Sequence, residues 1–119
     1  MNSVRRAFAR GAALLASTAL CLLCVHGRAE AGDVKAGRER AERCAICHGL
    51  DGLSKIAEAP NLAGQNEHYL ITQLNAFKAG TRTNEMMSIV IQELSPDDID
   101  NLAAYYSAIE ITVGKIPGQ

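Results

Sequence analysis

Five consecutive residues of this chain combine two thiols and an imidazole. In Cys44-Ala45-Ile46-Cys47-His48 the cysteines stand three positions apart and the histidine follows the second directly. Two cysteines on one helical turn can reach both vinyl groups of a porphyrin and form thioether bonds. His48 is then brought beneath the iron, where its imidazole can be an axial ligand. The run predicts one covalently attached haem c.

Three other uses of Cys44 and Cys47 stay open on spacing alone. A disulfide between them would close a very small loop and add little stability. A dithiol of the thioredoxin type needs a preceding strand, and no strand pattern precedes Cys44. A structural zinc site normally takes four protein ligands. Cys44, Cys47 and His48 supply three, and His68 is the one other histidine after residue 31.

The first 31 residues have the pattern of an export signal. A basic start precedes an apolar stretch over residues 11–25, and a small-x-small pattern ends at Ala31. The stretch is shorter than the roughly 20 residues of a membrane-spanning helix, although an uncleaved anchor stays open. We predict a cleaved secretory signal peptide over residues 1–31 and no stable membrane insertion afterwards. Cys21 and Cys24 lie within it, and Val25 rather than histidine follows them.

Cleavage after Ala31 leaves 88 residues, 32–119, which is enough for one domain. They carry eight basic and twelve acidic residues, a net charge of −4, so no basic surface favours nucleic acid. The whole sequence has no Trp, three Tyr and two Phe. A small domain with so few large rings needs a further source of core, such as a cofactor.

Local patterns in this segment predict about three main helices and no strand, which is an all-α fold. Asp33 can cap a helix over about 34–46. Helical spacing of apolar residues predicts a second helix over 67–79, with Gly80 as its C-terminal cap. The capping box Ser95-Pro96-Asp97-Asp98 begins the third. Its apolar stripe consists of Ile99, Leu102, Ala103, Tyr106 and Ile109.

A second axial ligand must come from another part of the chain. His68 falls within the second predicted helix, where a solvated surface histidine is the ordinary outcome. Met86 and Met87 lie in the weakly periodic segment 81–94, and a methionine ligand raises the reduction potential. We predict that one methionine is the ligand and that the other packs around the ring.

Several short motifs follow one another in a definite order. They are Gly32-Asp33 with Gly37, Cys44-Ala45-Ile46-Cys47-His48-Gly49, Asp51-Gly52, Pro60-Asn61-Leu62-Ala63-Gly64-Gln65, Tyr69-Leu70, Gln73-Leu74, Phe77-Lys78-Ala79-Gly80, Asn84, Met86-Met87, and Leu94-Ser95 through Ala103-Ala104-Tyr105-Tyr106. In this order, over residues 32–109, they resemble the small bacterial class I cytochromes c, especially one half of the dihaem periplasmic cytochromes c. Residues 55–59 match no part of that pattern.

The resemblance implies a role for each residue of the haem site. Cys44 and Cys47 would form the thioethers, and His48 would be one axial ligand. The family's ligand methionine stands seven residues before the leucine of the Leu-Ser helix start, which selects Met87 over Met86. The carbonyl oxygen matching Pro60 accepts a hydrogen bond from the other nitrogen of the axial histidine.

The resemblance also implies how the domain is assembled. The cytochrome c domain would cover residues 32–119, with its N- and C-terminal helices crossing near Gly37. An aromatic residue packs into that crossing, at the position of Tyr105 or Tyr106.

The implied activity is electron transfer rather than catalysis, because filled axial positions leave no place for a substrate. We expect a periplasmic single-electron carrier with His/Met ligation. Its partners would be redox proteins, an electron donor and an acceptor such as a dehydrogenase or a terminal oxidase. One alternative is a tightly bound cytochrome subunit of a periplasmic dehydrogenase. Another is a five-coordinate haem sensor, against which Met87 argues.

Overall fold

Asp33 begins the first helix of the computed structural model, which describes residues 31–118. Its carboxylate accepts hydrogen bonds from the backbone N–H groups of Ala36, at 2.9 Å, and Lys35, at 2.7 Å. These bonds lower the pKa of Asp33. Helix α1 covers Val34–Ala41. The expected signal peptide lies outside the described residues, apart from Ala31.

The prediction of one continuous helix over 34–46 is wrong beyond Ala41. The N–H of Cys44 donates to the carbonyl of Ala41 over 2.9 Å, which is a three-residue turn instead of the four-residue helical bond. The chain then forms a separate short helix α2, Ala45–His48. The break makes the cysteine–histidine run a helical turn of its own.

The second predicted helix is confirmed as α3, Glu67–Lys78, with Asn66 as its N-cap and Gly80 just beyond its end at φ 72°. The weakly periodic segment after it contains a short helix α4, Met87–Val90, and a 3₁₀ turn, Ile91–Glu93. The third predicted helix is confirmed as α5, Pro96–Ser107. Both hydrogen bonds of the capping box between Ser95 and Asp98 are present.

Helices α1 and α5 pack so closely at Gly37 that no larger residue fits. A Cβ atom at this position would lie 1.9 Å from the carbonyl oxygen of Asn101 and 2.8 Å from the Cβ of Tyr105. The predicted crossing is therefore confirmed, and Tyr105 is the aromatic residue that lies in it. Arg40 of α1 also pairs with Asp98 of α5, with Nε and Oδ1 3.2 Å apart.

The core lies between α5 and the other helices. Its buried residues are Ala41, Leu70, Phe77, Ile91, Leu94, Ile99, Leu102, Ala103 and Tyr106. Four of the five residues predicted as the apolar stripe of α5 are among them, and the fifth, Ile109, packs against the cluster. Residues 31–118 contain no strand, which confirms the predicted all-α class. Across the same range no helix is long and apolar enough to cross a membrane.

Candidate haem site

The two cysteines of the motif occupy the start and the interior of α2. Cys44 is the N-cap residue and Cys47 is the third residue of the helix. Both are partly buried free thiols. Burial raises the pKa of the Cys44 thiol, and the nearby Arg40 and Arg43 offset this only in part. The structure therefore holds the two thiols three residues apart on one turn, with Cys44 in its neutral form.

The imidazole of His48 is buried, with 8% of its surface exposed, and one nitrogen has a fixed partner. Its Nδ1 atom lies 2.9 Å from the carbonyl oxygen of Pro60. A carbonyl oxygen can only accept, so Nδ1 carries a proton, and Nε2 is the ring nitrogen left for a metal. A neutral imidazole of this tautomer is the form that binds a metal through Nε2.

The loop after α2 turns back on itself and brings Pro60 to His48. Gly49 begins it at φ 73°, where a Cβ would lie 2.2 Å from Oδ1 of Asp51. The N–H of Lys55 donates to the carbonyl of Cys47 over 2.8 Å. The N–H of Ser54 donates to Oδ1 of Asn61 over 2.7 Å, immediately beside Pro60.

Two adjacent tyrosines of α5 hold the peptide groups that follow His48. The Tyr106 hydroxyl donates to the carbonyl of Gly49 over 3.2 Å, and the Tyr105 hydroxyl donates to that of Leu50 over 2.6 Å. Burial raises the pKa of Tyr106 well above its usual value, so this hydroxyl stays protonated. Sequence reasoning gave these residues only a packing role. The available signal was that two of the three tyrosines stand side by side in the last helix.

The structure separates the two candidate methionines by their burial. Met87 is half-buried and packs against the core cluster, as Cys44, Leu62 and Leu74 also do. Met86, the N-cap residue of α4, is 63% exposed. His68 is exposed on α3.

The helical fold and the Cys-x-x-Cys-His turn together define a small all-α protein of the c-type haem class, and comparison with known proteins identifies its family. The model of the family described as "Cytochrome c" matches residues 8–108. This chain belongs to the cytochrome c family.

Individual relatives agree with this assignment. Cytochrome c4 of Pseudomonas aeruginosa is 42% identical over 84 residues, which is 71% of this chain and 42% of the relative. A protein of Stutzerimonas stutzeri described as a thiosulfate dehydrogenase electron acceptor is 38% identical over 69 residues, 56% of this chain and 32% of the relative. The chain spans 42% to 51% of the length of three curated cytochromes c4 that it matches.

A solved structure shows that the fold is that of class I cytochromes c. The reduced recombinant cytochrome c4 from Pseudomonas stutzeri superimposes with a TM-score of 0.65 at 39% identity. The superposition covers 71% of this chain and 49% of that one. The resemblance to one half of such a protein, predicted from the motifs, is confirmed.

Membership in the family implies haem c, and the residues of the site fit this group. Two free thiols stand at the attachment spacing, and the next residue is a buried imidazole with Nε2 free to bind a metal. A half-buried thioether, Met87, packs on the same core cluster as Cys44. Thiols, imidazole and thioether are the groups that attach and ligate a c-type haem.

Proposed function

We propose that this protein is a periplasmic electron carrier with one covalently attached haem c. The observation that carries the proposal is the state of His48, a buried imidazole whose Nδ1–H is taken by Pro60, next to two free thiols. The chain contains one Cys-x-x-Cys-His run, which corresponds to one haem. Residues 1–31 would be the cleaved signal peptide, and residues 32–119 the cytochrome domain.

Each residue of the site has one task in this function. Cys44 and Cys47 would form the thioethers, and Nε2 of His48 and the sulfur of Met87 would be the two protein ligands of the iron. The carbonyl of Pro60 holds the orientation of the His48 ring. By accepting the Nδ1–H bond it also raises the basicity of Nε2, which makes that nitrogen a stronger metal ligand. When bound, the haem supplies a single iron centre that alternates between the ferric and ferrous states.

Two axial protein ligands leave no coordination position for a substrate, so the protein would not be an enzyme by itself. Met87 packs against the apolar core cluster. In the proposed site this packing would keep water from the sulfur and limit rearrangement when the charge changes. A five-coordinate sensor is disfavoured because Met87 packs on the core instead of projecting into solvent.

The partners would be redox proteins that give and take one electron, such as a dehydrogenase or a terminal oxidase. Encounters of this kind are small and short-lived. The net charge of −4 over residues 32–119 gives modest attraction towards basic partners and none towards nucleic acid.

A second candidate is a subunit held within a periplasmic dehydrogenase complex. The observation in its favour is the relative described as a thiosulfate dehydrogenase electron acceptor. The apolar Ile46, next to the cysteines, is also 81% exposed. A free carrier would purify alone, whereas a subunit would copurify with a dehydrogenase of fixed stoichiometry.

Extraction of the haem tests the covalent attachment. The exported protein is denatured and extracted with acid acetone, and the reduced-minus-oxidised spectrum of the residue is recorded. A c-type spectrum that stays with the protein supports thioethers to Cys44 and Cys47. A colourless protein, or haem that passes into the solvent, contradicts the proposal.

Three alanine variants test the axial ligands. Met87→Ala should lose the low-spin His/Met spectrum, whereas Met86→Ala should keep it. His48→Ala should give no stable holoprotein. The reverse result for the two methionines would assign the ligand to Met86, and a normal His48→Ala holoprotein would remove His48 from the site.

A further inference from the structure

The side chain of Asn84 binds the backbone of both methionines. Its Oδ1 atom accepts hydrogen bonds from the N–H groups of Met86 and Met87, each at 3.0 Å. An asparagine oxygen that binds N–H groups two and three residues further on fixes the start of a helical turn. The turn fixed here is the one that leads into α4.

Ser88 closes the same turn from its other end. The backbone N–H of Asn84 donates to Oγ of Ser88, and the N–H of Ser88 donates to the carbonyl of Asn84, both over 3.0 Å. Asn84 therefore makes four hydrogen bonds within residues 84–88, and Met87 lies inside the turn that the bonds between Asn84 and Ser88 close.

Arg82 fastens this turn to α3. Its backbone N–H donates to the carbonyl of Ala76 over 3.1 Å, and its Nη1 donates to Oε1 of Gln73 over 2.6 Å. Its guanidinium carbon lies 4.5 Å from the ring centroid of Phe77, a buried residue of α3. A guanidinium over an aromatic face is an attractive contact. The turn that carries the methionines is thus tied to the core two residues before Asn84.

We propose that Asn84 is a positioning residue for the Met87 ligand. The proposal rests on the proposed function, in which Met87 binds the haem iron. By holding both methionine N–H groups, Asn84 fixes which of the two adjacent side chains packs towards the core, and that one is Met87. Without the Asn84 side chain the turn can open. The backbone is then no longer held in the conformation that presents Met87 to the iron, and a larger fraction of the protein has Met87 dissociated.

Competition with an added ligand measures how often Met87 leaves its position. Imidazole is titrated into the ferric holoprotein while the weak red band of methionine-ligated ferric haem is followed. Its apparent affinity is proportional to the fraction of protein with Met87 dissociated. For Asn84→Ala we expect this affinity to rise about two- to thirtyfold, the range for loss of a capping side chain. Asn84→Asp keeps an accepting oxygen and should stay within about twofold of the wild type.

Asn66 provides a matched control, because its Oδ1 accepts from the N–H of Tyr69 at the start of α3 over 2.9 Å. Asn66→Ala should leave the imidazole affinity within about twofold of the wild type. An unchanged affinity for Asn84→Ala would overturn the positioning role, as would an equal rise for Asn66→Ala and Asn84→Ala. If the red band is absent from the wild type, or survives Met87→Ala, the ligation by Met87 itself is wrong, and the proposal falls with it.

Discussion

The hydroxyl of Tyr106 donates a hydrogen bond to the carbonyl oxygen of Gly49, fifty-seven positions earlier in the chain. Gly49 follows His48 directly, so this bond ties the last helix to the turn that contains Cys44, Cys47 and His48. The carbonyl of Tyr106 in turn accepts from the N–H of Gly64, over 3.0 Å, at the far end of the loop that contains Pro60. Tyr106 thereby connects both ends of the segment that contains Pro60, whose carbonyl oxygen binds the His48 ring.

Tyr106→Phe should destabilise the holoprotein by about 1–1.5 kcal/mol, the upper range for one net hydrogen bond, because the Gly49 carbonyl still accepts from the N–H of Gly52 over 3.2 Å. The Tyr105 hydroxyl lies in a less buried position, where water can replace it. Tyr105→Phe should therefore cost about 1 kcal/mol or less. Denaturant unfolding measures both variants, and equal losses would contradict the distinction between the two hydroxyls.

Gly37→Ala should separate the first and last helices. Its methyl group meets a backbone oxygen of Asn101 that no side-chain rotation can move. We expect a loss of about 3 kcal/mol, towards the upper end for overpacking. Gly114→Ala is the control, because nothing lies within 4 Å of its added Cβ, and it should stay within about 0.5 kcal/mol of the wild type. Thermal unfolding of the wild type, Gly37→Ala and Gly114→Ala at one pH measures the change in the free energy of unfolding for each variant.

The contribution of Asp98 to stability should depend on pH. Burial opposes its charge, but hydrogen bonds from the N–H and hydroxyl of Ser95, with Arg40 and Lys78 nearby, hold its pKa below the usual value. A carboxyl whose pKa is lower in the folded state than in the unfolded chain stabilises the protein fully at any pH above the unfolded pKa, which is about 3.9 for Asp. That stabilisation is lost as the pH falls through the folded-state pKa. Asp98→Asn should cost about 1 kcal/mol at neutral pH.

Urea unfolding of wild type and Asp98→Asn from pH 7 down to pH 3 checks this prediction. The difference between them should be constant near neutrality and shrink below about pH 4. Glu110→Gln, in the exposed segment after α5, removes one negative charge without touching the capping box. A difference for Asp98→Asn that follows the Glu110→Gln curve would mean that net charge alone is responsible.

Asn61→Ala should loosen the orientation of His48 without removing a ligand. The amide oxygen of Asn61 accepts a hydrogen bond from the N–H of Ser54 and so holds the loop beside Pro60. Without it we expect the Nδ1 proton of His48 to exchange faster with solvent, since local opening exposes the bond to Pro60. Proton NMR of the ferrous protein in D₂O measures the exchange. An unchanged rate would show that Pro60 is held by other contacts.

The helices with explicit end signals could be predicted from the sequence. Gly80 and the Ser95–Asp98 capping box are local features, and the structure has the corresponding helix ends where they indicate. The break after Ala41 could not be predicted, because the residues on both sides favour helix. The turn is held by backbone bonds and by the ion pair of Arg43 with the distant Glu93, neither of which has a local signal in the sequence. The short α4 follows a turn in which Oδ1 of Asn84 accepts from the N–H groups of Met86 and Met87, and these contacts become visible only once the fold of the segment is known.

At the candidate site, the Cys-x-x-Cys-His motif predicts which side chains could attach and ligate a haem, but not which residues fix the position of those side chains. Cys44, Cys47 and His48 are adjacent in sequence, so their spacing alone predicts their grouping. Tyr106 acts from the opposite end of the domain, and such contacts arise from the packing of α5. The roles of these residues in binding haem stay predictions.

The contact between Tyr106 and the attachment turn also sets an order of events during synthesis. Fifty-eight residues lie from His48 to Tyr106, and a chain grows from its N-terminus at about 5–20 residues per second. Cys44 and Cys47 therefore exist for about 3–12 seconds before the helix that closes over their turn has been made. During that interval the two thiols belong to an unfinished and accessible segment, and Tyr106 can close over their turn only once α5 has been made.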